Sequence, residues 1–512
     1  MPTTTRRTLT GLGLATLLAA GCAMPPASQI RTVTLPSEGS PLVAIRLMFE
    51  VGSIHDPAGK EGLAALTGLM VAEAGTQMRE YSELVDALYP MAAQIEVDTD
   101  REVTVIRGQI HREKLDEYTA ILQEVLLQPA FNENDFTRNR DLLKSFLTTT
   151  LRASNDELLG LEALQQILFE GHPYGHAPQG SVQGLDAITL DDVRSFYVER
   201  YIQSNLLLGV AGGYPDGYVE ALAASLSALP SGDGNAPQPL PALAAPEGRD
   251  FTLIEKSTGS VGIHFGHPLS ITRADDDYYP LMVANSYLGE HRTFHGRLMQ
   301  QLRGKRGLNY GDYSYIEYYP LAPFTSSPTP NYPRRQQYFS VWVRPVVPGT
   351  AHFALRNALY EVDRLIERGM TQEEFELARD FLINYSKLWA QTLSDRLGFL
   401  MDSRFYGMEY FIDEIELHLG HSSAEQVNAA VKRHLQTANL EAVVVTDGAA
   451  EVQAYLEAGA PSPMSYNSPP EAEVAEADRT IEALPVDADD FRIVPVDSMF
   501  ETRGIPGAPA AE

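Results

Sequence analysis

Between Leu302 and Tyr310 the chain reads Leu-Arg-Gly-Lys-Arg-Gly-Leu-Asn-Tyr, which sets three cations, Arg303, Lys305 and Arg306, a short step before a tyrosine. The whole sequence has 39 basic and 68 acidic residues, a net charge of −29, so a basic cluster stands out locally. A guanidinium at Arg306 forks onto a carbonyl or carboxylate, and Tyr310 offers one hydrogen bond from a rigid ring. Such a pair suits the backbone of an extended peptide, although these residue types also make an ordinary solvated turn. The histidines are less suggestive. His291 and His295 have the i, i+4 spacing that puts two imidazoles on one helix face, with Glu290 as the one acid close by. His172 and His176 sit in a Pro/Gly loop, and His264 and His267 straddle a strand end. None of these pairs brings a third ligand at metal spacing. Tyr313, Tyr315, Tyr318 and Tyr319 fit a peptide groove or simple sheet packing.

The elements that position this corner are a helix over 294–301, breaks at Gly304 and Gly307, and an aromatic strand over 308–319. Toward the N-terminus, Val43, Ile45, Leu47, Phe49 and Val51 alternate as one face of a strand. Helices over 63–74 and 82–89, strands over 94–98 and 102–109, further helices to 201 and a strand over 204–213 follow. Residues 229–249 are rich in proline, glycine and alanine and read as a linker, after which the same order of elements repeats. The expected fold is α+β: two similar halves, each a mostly antiparallel sheet with long helices on one face. The boundaries are 1–22 for a signal segment, 30–230 and 250–448 for the halves, 231–249 for the linker and 449–512 for an acidic, proline-rich tail. Its apolar residues Phe491 to Val496, Met499 and Phe500 are expected to dock an extended tail over the body.

Arg6 and Arg7 precede a short apolar run, and Ala19-Ala20-Gly21 precedes Cys22, the only cysteine of the chain. That pattern is similar to a bacterial lipoprotein signal with Cys22 as the lipidated residue. It places the protein at the periplasmic face of the envelope, with Ala23 pointing to the outer membrane of a Gram-negative bacterium. Contact with the membrane is through that anchor only. The acidic balance argues against nucleic acid, whose phosphates need a basic face.

The corner Leu-Arg-x-x-Arg-Gly-Leu-x-Tyr resembles the substrate-binding Arg/Tyr corner of the insulinase/pitrilysin family of inverted-motif (H-x-x-E-H) zinc peptidases. Val51-Gly52-Ser53, His172-Pro173-Tyr174-Gly175, Asp277-Tyr278-Tyr279 and Gly369-Met370-Thr371 resemble that family too, in the right order over both halves. The resemblance implies a zinc site on the first helix of the N-terminal half, framed by Gly62-Leu63-Ala64 and by Gly75-Thr76. Within that frame the two histidines fall on Ala65 and Leu69 and the glutamate base on Gly68. The third ligand is expected near 140–146, yet no glutamate lies between Glu133 and Glu157. No histidine lies between His55 and His111, so sliding the frame does not help. The expectation is therefore no catalytic residue, no metal and no cofactor in this chain. By resemblance to two-chain bacterial members, it pairs with a catalytic H-x-x-E-H subunit that carries the zinc, while Arg306 and Tyr310 hold the peptide substrate. The alternative is a stand-alone peptide-binding or scaffold protein of the envelope.

Overall fold

The computed structural model describes residues 30–232, 237–321 and 325–506. The signal segment and Cys22 lie outside the described residues. A first sheet contains β1 (Arg31–Pro36), β2 (Leu42–Phe49), β3 (Glu96–Thr99), β4 (Thr104–His111) and β5 (Leu206–Gly212), in the order β1-β5-β2-β4-β3. A second contains β6 (Arg249–Glu255), β7 (Val261–Leu269), β8 (Asp312–Tyr315), β9 (Gln337–Val346), β10 (Leu440–Thr446) and β11 (Asp490–Pro495), in the order β11-β6-β10-β7-β9-β8. Without β11 the two orders correspond strand for strand, which is the duplication that the repeated element order suggested. The sheets are mixed: β1 runs parallel to β5, and β6 runs parallel to both β10 and β11.

Period-two alternation on β2 explains how the first sheet is covered. Val43, Ile45, Leu47 and Phe49 are buried with the helices of their own half. Ala44 and Met48 point the other way, onto Leu397 and Met401 of helix Leu393–Phe405, which belongs to the second half. The exchange is reciprocal, because helix Asp156–Leu168 of the first half lies against β7 and β10. There, Gly160 admits the ring of His264: a Cβ at that glycine would stand 2.4 Å from the imidazole. Each sheet thus has helices on both faces rather than one, and the second layer comes from the opposite half. Alternation in the sequence points to one covered face and does not show that a helix of the opposite half covers the other.

The tail is more ordered than an extended segment. Residues 449–457 and 472–482 form helices, the second with Val474, Asp478 and Ile481 buried at helical spacing. After β11 the chain crosses to the first half and buries Met499, Phe500 and Ile505 in its core. The amides of Val182 and Gln183 donate to the carbonyls of Phe500 and Glu501 at 2.8 and 3.0 Å. Among the described residues no helix is long and apolar enough to cross a membrane.

Candidate functional site

Ala65, Gly68 and Leu69 lie on helix Leu63–Ala72. The helix start is built with care. Gly62 adopts φ 103°, a left-handed conformation that suits glycine. The Asp56 carboxylate accepts from the amides of Gly62 and Ala64, both at 2.7 Å, and its Oδ2 meets His176 Nε2 at 3.1 Å. Ala65 and Leu69 face a cleft of about 260 Å³. Leu143 and Phe146, from the stretch where a third ligand was expected, line the same cleft. Gly68 presses on the edge strand β3: a Cβ there would stand 3.0 Å from Thr99 Oγ1 and 3.3 Å from Val97. At the position of the would-be base, the helix backbone is therefore packed directly on side chains of β3 and β4. An alanine methyl, a hydrogen and a leucine isobutyl offer zinc no donor, so these residues do not fit the metal. Among the described residues no group of three or more His, Cys, Asp or Glu side chains has the geometry to hold a metal ion.

The opposite wall of the cleft comes from the second half. Tyr318, Pro320, Leu321 and Tyr332 line it, and the segment that carries them is fastened to the first half by buried ion pairs. Arg334, with no exposed side-chain surface, donates to both oxygens of Asp100 at 2.7 and 2.6 Å and to Gln165 Oε1 at 2.7 Å. Its guanidinium lies 3.5 Å above the centre of the Tyr318 ring. Arg335 pairs with Glu102, which also accepts from the Tyr174 hydroxyl, and Arg101 pairs with Glu162 at 2.7 Å. Arg46 of β2 donates to Asn331. The charges around the cleft are thus largely engaged with one another. β3 pairs only with β4, which leaves its other edge beside the cleft without a strand partner among the described residues.

The basic corner differs from its sequence expectation. In place of a helix over 294–301, a π-helix spans Met299–Gly304, and β8 is confined to Asp312–Tyr315. Gly307 at φ 63° and Gly311 at φ 154° turn the chain between them. Arg306 does not join Tyr310. Its guanidinium is buried, donating to Asp478 of the tail helix at 2.8 Å and to the Gln301 carbonyl at 2.7 Å. Of the three cations, Arg303 is the one without an ion pair among the described residues, half-buried with its guanidinium over the Phe294 ring at 5.0 Å. Tyr310 is 79% exposed. Lys305 reaches Glu471 at 2.6 Å. Arg306, expected as a free contact for substrate, is a buried partner of the tail helix in this structure. Three cations in four residues cannot be ranked from sequence, because the tail that selects one of them lies some 170 residues later in the chain.

Of the histidine pairs, His291 is buried with its Nδ1 2.7 Å from the Tyr315 hydroxyl, while His295 is exposed and neither is helical. Burial pushes His291 and His264 down to about 3. Tyr313, Tyr315 and Tyr319 pack with Trp342 in one buried cluster, so of the four tyrosines only Tyr318 lines the cleft.

Two family models match this chain: Insulinase (Peptidase family M16) over residues 31–177 and Peptidase M16 inactive domain over residues 187–382. The Helicobacter pylori protein described as the non-peptidase homolog YmxG is 25% identical over 409 residues, covering 80% of this chain and 89% of that protein. The mitochondrial-processing peptidase subunit beta of Caenorhabditis elegans is 24% identical over 270 residues, 52% of this chain and 56% of that one. The crystal structure of a peptidase M16 inactive domain from Pseudomonas fluorescens superposes with a TM-score of 0.71 at 23% identity, covering 81% of this chain and 95% of that one. With the matched regions running through both sheets and the same fold in that solved structure, this chain is a member of the insulinase (M16) family, peptidase-like in architecture and without a metal-binding group among its described residues.

Proposed function

We propose that this chain is the non-catalytic, peptide-binding subunit of a two-chain zinc peptidase of the cell envelope, anchored by lipid at Cys22, with the zinc in its partner. The observation that carries the reading lies at one place. Ala65, Gly68 and Leu69 stand where the resemblance puts ligands and base, on a helix with an ordered start, beside a cleft, and with Tyr310 exposed elsewhere on the chain. The open edge of β3 beside the cleft suits main-chain pairing with an extended peptide. The naming of one relative as a non-peptidase homolog, and of another as one subunit of a peptidase, agrees with a division of labour between chains. Because Arg306 is held by Asp478, Arg303 and Tyr310 are the corner residues assigned to substrate backbone.

The test is purification of the native protein from its own cells, followed by peptide turnover in the complex. An H-x-x-E-H chain should co-purify. Replacing Arg303 by Gln and Tyr310 by Ala should leave association intact and lower turnover by about 10²–10⁴-fold, at roughly 1–3 kcal/mol for each lost contact. Wild-type turnover by that variant, or purification without any catalytic relative, would favour a stand-alone envelope scaffold.

A further inference from the structure

A second cavity, of about 250 Å³, lies where the first half, the second half and the linker meet. Its wall includes His55, Arg200 and Asn205 from the first half, Arg335 from the second and Gln238 from the linker. Two carboxylates, Glu50 and Glu102, also reach it, and both are already paired. Glu50 accepts from Arg31, and Glu102 accepts from Arg335 and from Tyr174. Arg200 is different. It closes helix Leu190–Arg200, it has no ion pair among the described residues, and its Nε is buried without a hydrogen-bond partner. A buried donor left in that state is costly unless something accepts from it. The nearby imidazole of His55 shares this wall. His55 is pushed down to about 4, first by burial and then by Arg200, with a smaller contribution from Arg335. Arg31, from outside the wall, and Arg335 match the two carboxylates, which leaves Arg200 as the wall cation without an ion pair among the described residues, in a space larger than one water molecule requires.

We propose that this junction cavity binds a small oxyanion, a carboxylate or phosphate group, on Arg200. The anion completes the hydrogen bonding of the guanidinium and places its charge within reach of His55. The site is separate from the cleft at Ala65 and Leu69, and the proposal does not depend on the peptidase reading. Because the wall draws on both halves and the linker, occupancy also stabilises their arrangement.

The experiment is a titration of the full chain with inorganic phosphate and, in parallel, with malonate. Heat of binding and the His55 imidazole resonance are followed together, the resonance being identified by its loss in His55→Gln. The expected result is saturable binding of at least one of the two anions at millimolar concentration or below. The His55 pKa should rise by about one unit or more at saturation, because a nearby anion favours the charged ring. Arg200→Gln should weaken binding about tenfold or more, and Arg200→Lys should recover part of it. Tighter phosphate binding identifies a phosphoryl ligand, and tighter malonate binding a carboxylate. Absence of saturable binding by either anion overturns the proposal. So does binding that leaves the His55 pKa unmoved, a result read on the wild-type chain even if Arg200→Gln fails to fold.

Discussion

Replacing Arg334 by Ala should destabilise the protein more than any single change in the corner. The side chain is fully buried, donates to both oxygens of Asp100 and to Gln165, and covers the Tyr318 ring. Asp100 is itself only 3% exposed in its side chain, so truncation leaves a carboxylate buried with no cation. Breaking a buried pair from one side costs about 3–5 kcal/mol, because the remaining charge stays desolvated. With a urea dependence of about 3 kcal/mol per molar, the midpoint should fall by about 1 M or more. The assay is urea unfolding of the full chain, followed by a double-mutant cycle with Asp100→Ala. The double variant should be more stable than Arg334→Ala alone, since it removes the orphaned charge along with its partner. Since the pair joins the halves, hydrogen exchange should also quicken in β3 and in the 329–336 segment. An Arg334→Ala midpoint within about 0.2 M of wild type would refute the argument that this pair fastens the cleft wall.

Two further outcomes follow from named groups. Glu441 of β10 lies beside Asp250 of β6, which lies beside Asp490 of β11, with Glu170 close by and Arg492 as the counter-charge. Burial first, and then these acids, raise its pKa to about 7. The unfolded group titrates near 4.5, so stability should fall as pH rises from about 4.5 to about 7 and level off above. Glu441→Gln should remove that part of the slope and stabilise the chain at pH 8 by about 2–3 kcal/mol. Glu290 and Asp312, raised to about 7 and about 8 by burial, contribute in the same direction and should keep a residual slope, measured by urea midpoints against pH. The second outcome concerns metal. The triple substitution Ala65→His, Gly68→Glu, Leu69→His should not acquire stoichiometric zinc by elemental analysis. A side chain at 68 meets Thr99 and Val97, and the one carboxylate of the 140–146 stretch, Asp141, is exposed and does not line the cleft.

The alternation at Val43 to Phe49, the Pro/Gly/Ala-rich linker and the repeated element order made the two-sheet α+β plan legible in the sequence. Ala65, Gly68 and Leu69 were legible as residues that cannot ligate for a similar reason: they are residue types at fixed spacing on one helix. What the sequence left open depends on contacts between distant segments. Helices Asp156–Leu168 and Leu393–Phe405 each cover the sheet of the opposite half, and nothing in their periodicity names that partner. The acidic run after Glu471 looks solvated until Val474, Asp478 and Ile481 are seen on one buried face, with Asp478 taking Arg306. That one ion pair moved the candidate substrate contact from Arg306 to Arg303.

Metal content and peptidase activity of the isolated chain test the central claim most directly. Purified alone and assayed on unstructured peptides, the protein should carry far less than one zinc per chain and show no chelator-sensitive cleavage, since Ala65, Gly68 and Leu69 offer neither ligands nor base. One zinc per chain, removed by a chelator together with peptide cleavage, would contradict it.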